Sequence, residues 1–133
     1  MIKRIVLDSS ALIAYFLAEP GAEKVKGFFS LARRRKIGIT MSAVNLGETL
    51  YVVLRNLGAQ GGQHFVKWLA QAPITVASAD KEQALSAAHL KSQHGIHYAD
   101  CFTVALAQQL HAEIATCDQD FEMVQDLVKL MWI

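Results

Sequence analysis

Near its start the chain runs Ile5-Val6-Leu7-Asp8-Ser9-Ser10, a short apolar stretch that ends on an acid and two small hydroxyl residues. A run this short and without a polar face suits a strand buried on both sides, as in the middle of a parallel sheet. Helices must then cover both faces of that sheet. Asp8 is expected at the strand's carboxyl end, where open α/β sheets place their ligand crevices. Aspartate before a helix is usually a turn or cap residue, so Asp8 by itself carries no function. The hydroxyl of Ser9 or Ser10 is expected to cap the helix that Ala11-Leu12-Ile13-Ala14-Tyr15-Phe16-Leu17 predicts.

The remainder of the chain alternates between the two periodicities. Glu19-Pro20-Gly21 breaks the first helix, and Val25, Phe28, Phe29 and Ala32 form the stripe of a second from Ala22 to about Arg35. Ile37 to Met41 alternates like a strand. Ser42 caps a third helix running to about Leu57, with Val44, Leu46, Leu50, Val53, Leu54 and Leu57 as its apolar side. Gly58 to Gly62 is expected as a loop, followed by a fourth helix from about Gln63 to Ala70. Ile74 to Ala77 reads as a strand. Ser78-Ala79-Asp80 opens a helix that buries Ala84, Leu85, Ala88 and Leu90 and ends near Gly95. Cys101 to Ala107 is apolar on most sides, which places that helix against the sheet. Glu113 to Thr116 is a fourth strand, and Leu127 to Met131 fits an edge strand. The expected fold is α/β, a three-layer α/β/α arrangement around a central, mainly parallel sheet of four to five strands, with residues 1–133 forming one domain.

Composition limits the partners. With 53% hydrophobic and 19% charged residues, the core is large for 133 residues or a partner covers part of the surface. A net charge of +1 supplies no global field toward nucleic acid. The run Arg33-Arg34-Arg35-Lys36 invites a nucleic-acid reading, but a strand starts right after it, so it lies at the sheet edge opposite Asp8. A solvated helix end whose cations suit the C-terminal dipole fits that position better. No apolar run approaches the roughly 18–20 residues of a membrane span, and the first residues lack a signal-peptide pattern. Cys101 and Cys117 have neither zinc-ligand spacing nor a disulfide framework, so a cytoplasmic protein with reduced thiols is expected.

Four acids stand out against this frame. Asp8 and Asp118 end apolar strands, Asp100 begins the buried helix, and Glu48 lies in the first turns of the third helix beside Asn45. In a parallel sheet all four face the carboxyl edge. Four converging carboxylates repel one another and need protons or a divalent cation. All-oxygen ligands suit Mg²⁺ or Mn²⁺, and such an ion supports phosphodiester hydrolysis.

Leu7-Asp8-Ser9-Ser10, Asn45-Leu46-Gly47-Glu48, Tyr98-Ala99-Asp100 and Thr116-Cys117-Asp118-Gln119-Asp120-Phe121, in this order, resemble the PIN domain. Within it they resemble the VapC-type toxin ribonucleases of toxin–antitoxin pairs. The resemblance runs essentially end to end. It implies that Asp8, Glu48, Asp100 and Asp118 form an acidic Mg²⁺ or Mn²⁺ site. It also implies that Ser10 supports the first aspartate and that Thr116 orients the acids. Asp120 matches a secondary acid, and Asn45 helps position the site. An RNA substrate, a small cognate antitoxin protein and a homodimer are implied as partners, and no membrane.

Other residues keep plainer roles. The cysteines read as small buried hydrophobes. The five histidines share no face, and only His97 lies near Asp100, where it can meet substrate. Lys91 reads as a solvated lysine beside the Gly95 turn. Tyr15, Phe16, Tyr51 and Trp68 exceed what one core needs, so some are expected on an antitoxin or dimer surface. Two other functions fit parts of the pattern. A phospho-aspartyl phosphatase with Asp8 as nucleophile suits strand-then-Asp, but Ser10 stands where its general acid belongs. A non-catalytic metal- or RNA-binding module would use the same pocket without turnover.

Overall fold

A computed structural model describes residues 2–133. Its elements are β1 (Lys3–Leu7), α1 (Ser9–Phe16), α2 (Ala22–Arg33), β2 (Ile37–Ser42), α3 (Ala43–Leu69), β3 (Thr75–Ala77), α4 (Lys81–Gln93), α5 (Tyr98–Leu110), β4 (Glu113–Thr116) and β5 (Leu130–Trp132). A 3₁₀ turn, Gln119–Val124, lies between the last two strands.

The five strands form one sheet in the order β3-β2-β1-β4-β5, and every pairing is parallel. The chain builds outward from β1 through β2 to β3, then returns to the other side of β1 for β4 and β5. The reversal therefore lies between β1 and β4, where open α/β sheets leave a crevice at their carboxyl ends. Helices cover both faces, as the apolar strands require. Val6 and Ile114 pack with α4, α5 and the 3₁₀ turn, while Ile5, Leu7 and Ala115 pack with α1, α2 and α3. Successive β1 residues thus serve opposite cores, which is why the strand has no polar face.

Several local expectations are corrected. Asp8, not Ser9 or Ser10, caps α1, because its carboxylate accepts the Ser10 amide. No loop separates the third and fourth helices. Gly58 alone breaks the helical geometry, at φ 72° and ψ −171°, and α3 continues to Leu69. A positive φ of this size suits glycine, so one residue makes the kink. Leu54 and Leu57 consequently point outward, 43% and 49% exposed. On α4, Leu85 and Ala88 are exposed and Ala87 takes the core position. The last strand is shifted to Leu130–Trp132. Tyr15, Phe16 and Trp68 join Phe29 and Phe65 in an aromatic cluster with neighbouring ring centroids 4.8 to 6.2 Å apart. Of the four suspected surface aromatics, only Tyr51 is exposed. Cys101 is buried, but Cys117 is exposed. Lys91 is exposed, and its Nζ also donates to the Ile96 carbonyl at 2.8 Å.

Candidate active site

The site begins where β1 meets α1. Asp8 is 1% exposed, and its Oδ2 accepts from the Ser10 amide at 3.3 Å, the Ser10 hydroxyl at 2.6 Å and the Thr116 hydroxyl at 2.9 Å. Its other oxygen, Oδ1, is buried and has no hydrogen-bond partner among the described residues. Burial is the main force raising the Asp8 carboxyl above its ordinary value; the hydroxyls of Ser10 and Thr116 oppose it and the Asp118 charge adds to it.

The β4 end supplies the opposite wall. Thr116 closes that strand and is fully buried. Its Oγ1 accepts from the Asp118 amide at 3.0 Å, and the Cys117 amide donates to the Ser10 hydroxyl at 3.1 Å. Ser10 and Thr116 thus fasten the loop after β4 to the first turn of α1. Asp118 caps the 3₁₀ turn, with its Oδ1 accepting from the Asp120 amide at 2.9 Å.

The two helix-borne acids are set by Asn45. Ser42 caps α3 through the Val44 amide at 3.2 Å, so Asn45 and Glu48 fall in the first turns on one side. The Asn45 Nδ2 donates to Glu48 Oε1 at 3.1 Å and to the Ala99 carbonyl at 3.1 Å. Its Oδ1 accepts from the Thr103 hydroxyl at 2.8 Å. One buried amide therefore holds Glu48 and the head of α5 in register. Thr103 is not among the residues that the sequence motifs mark. The signal was available, since a lone hydroxyl inside the apolar run Cys101 to Ala107 needs a buried partner.

Asp100 sits in the first turn of α5, with the His97 Nδ1 3.8 Å from its Oδ2 and that imidazole largely in solvent. The Asp100 carboxyl is pushed up to about 7, first by burial and then by the charges of Asp8, Asp118, Glu48 and Asp120. The sequence-predicted acids therefore lie within electrostatic reach of one another, at the β1–β4 reversal. Among the described residues no three of these acids, with histidine and cysteine also considered, already form a closed cation cluster. The unpartnered Oδ1 of Asp8, the raised carboxyls and an all-oxygen donor set fit a hard divalent cation.

The PIN domain family model matches residues 5–127. Ribonuclease VapC of Mycolicibacterium smegmatis is 36% identical over 112 residues, covering 78% of this chain and 83% of that protein. Ribonuclease VapC30 of Mycobacterium tuberculosis is 30% identical over 125 residues, covering 89% and 92%. Among solved structures, DNA-bound VapBC from Salmonella typhimurium superposes with a TM-score of 0.77 at 17% identity, over 99% of this chain and 98% of that one. At that identity the likeness speaks for the fold alone.

Proposed function

The chain belongs to the PIN domain family, and from that membership we propose that it is a ribonuclease of the VapC type, the toxin of a toxin–antitoxin pair. The acid set at the sheet reversal supports this reading, and the buried, unpartnered Oδ1 of Asp8 is the observation that carries it furthest. In our reading Asp8, Glu48, Asp100 and Asp118 hold Mg²⁺ or Mn²⁺. Such an ion supplies counter-charge to the acids, polarises a phosphoryl oxygen and lowers the pKa of an attacking water. The chain's own contribution is positioning. Ser10 and Thr116 fix one oxygen of Asp8 and leave the other buried without a partner among the described residues. Asn45 aims Glu48 and the head of α5, and the Asp118 carboxylate holds the 3₁₀ turn that carries Asp120.

Two protein partners belong to the proposal, a small antitoxin and a second copy of the chain. The α3 kink leaves Tyr51, Leu54, Leu57 and Val66 exposed beside a groove of about 560 Å³ lined by Leu50, Ala59 and Gly62. An apolar surface of this kind is one that a protein partner covers. No helix among the described residues is long and apolar enough to cross a membrane. We place its action in the cytoplasm, where RNA is met and thiols stay reduced.

The direct test is cleavage of RNA by the purified protein with Mg²⁺ or Mn²⁺, alongside Asp8→Asn and Asp100→Asn. The expected result is loss of cleavage in both variants and in chelator. Activity that survives either treatment would sink the mechanism.

A further inference from the structure

The sheet edge opposite the acids is a charged surface that the sequence does not show as one. Lys3 and Arg4 begin β1, Arg33 to Lys36 join α2 to β2, and Lys129 precedes β5. Parallel strands put all of these at the amino end. Together they hold seven of the chain's 13 lysines and arginines, and all seven are exposed. Lys3 pairs in register with Ile37 across β1 and β2, so the basic run and the β1 cations are immediate neighbours. Glu113 is the acid at the start of these strands, with Lys3 Nζ at 3.4 Å and Lys129 Nζ at 3.5 Å. Two grooves flank it, of about 500 and about 510 Å³. Lys129 lines the first, Lys3 and Arg4 the second, and His111 and Glu113 both. The net charge of +1 therefore hides a separation of charge, with acids at one edge and cations at the other.

We propose that this amino-terminal edge is a second RNA-contacting surface, gripping the phosphate backbone of the substrate away from the bond that is cut. The inference rests on the ribonuclease reading above. Protein interfaces keep a charge-poor, apolar centre, whereas the centre of this edge is Lys3, Glu113 and Lys129. Five residues of β1 separate the two edges by roughly 17 Å, at about 3.3 Å per residue. A folded RNA can meet both, while a very short one occupies only the acidic site. The edge thus selects for long or structured RNA, and it needs no metal to bind.

The test uses the full chain and the triple variant Arg33→Ala, Arg34→Ala, Lys36→Ala, whose side chains lie outside the core. Binding of a long structured RNA is followed by fluorescence anisotropy in chelator, at several salt concentrations. The variant is expected to bind about tenfold more weakly, with the slope of log affinity against log salt reduced by about 2–3, one phosphate contact for each of the three lost cations. Glu113→Gln is expected to move affinity the other way, about twofold, by freeing Lys3 and Lys129. In cleavage assays with Mn²⁺ the triple variant should show a raised Michaelis constant and unchanged kcat on the long RNA. It should match the wild type on an oligonucleotide of about four nucleotides. Equal affinities and equal salt slopes overturn the inference. A wild type that binds the long RNA in chelator but cuts no RNA would instead overturn the ribonuclease reading and leave this surface standing.

Discussion

Thr116 donates its hydroxyl to Asp8 Oδ2 at 2.9 Å across 108 residues of sequence, tying the ends of β4 and β1 together at the point where the sheet order reverses. Both side chains are buried, so water cannot replace this bond. Thr116→Val keeps the shape and removes the donor. Loss of a hydrogen bond to a buried carboxylate costs about 1–3 kcal/mol, read as a lower denaturation midpoint in urea. Since supporting partners of this kind are worth about 10–100-fold in metal affinity or activity, cleavage should fall by that factor. Thr116→Ser should restore most of both. An unchanged Thr116→Val protein would separate Thr116 from the site.

Asp100 shows the conflict between stability and function most directly. Its carboxyl is buried among like charges, and without a cation those charges oppose folding. Asp100→Asn should therefore raise the melting temperature in chelator at pH 8, by on the order of 5 °C, while abolishing cleavage. A variant less stable than the wild type under these conditions would mean that Asp100 is held by contacts the charge argument overlooks.

The same carboxyl sets a pH dependence. It titrates near 7 in the folded protein and near 3.8 when unfolded. Between those values the native state keeps a proton that the unfolded chain has lost, so the native state gains least from deprotonation. Stability from this group is present in full below about 3.8 and is lost as pH rises to about 7. Melting curves in chelator should show the gap between wild type and Asp100→Asn widening from pH 5 to pH 8. A constant gap would contradict the shift.

In the proposed site, a cation bound by Asp100 would have to displace that proton. Affinity for Mn²⁺ is expected to weaken about tenfold for each pH unit below about 7 and to level off above it. Titration calorimetry at three pH values in that range checks this. A flat profile would mean that Asp100 is not among the ligands.

Asn45 makes three side-chain hydrogen bonds, one to Glu48 within α3 and two that join α3 to α5. Asn45→Ala leaves the Thr103 hydroxyl buried without its acceptor and frees Glu48. The expected cost is about 1–3 kcal/mol of stability, with reduced cation affinity. Adding Thr103→Val to that variant should recover part of the stability, because no orphaned hydroxyl remains, and none of the cation affinity. Recovery of both would make Asn45 purely structural.

Much of this molecule is legible in the chain. Ile5 to Leu7 and Ile114 to Thr116 have no polar face because each strand serves two cores, and that alone implies a parallel sheet between helix layers. Asp8, Glu48, Asp100 and Asp118 are visible because apolar strands and buried helices do not end on carboxylates without cause. Less legible were features that depend on one backbone angle or one long-range partner. Gly58 looks like the start of a loop, yet at φ 72° it bends a helix that continues. Leu54, Leu57 and Leu85 carry the right period for a core but face outward, since periodicity gives a helix face and not what covers it.

The sequence by itself determined the layers, the strand direction and which residue types reach the carboxyl edge, because hydrophobic period and capping are local properties. Only the tertiary structure decided how the acids are held. That Asp8 spends one oxygen on Ser10 and Thr116 and leaves the other unpartnered depends on β4 lying beside β1. That Lys3, Lys129 and the Arg33 to Lys36 run lie close together on one edge depends on β2 and β4 both flanking β1. Strand order is a long-range choice made by the packing of whole elements, and no local pattern in the chain records it.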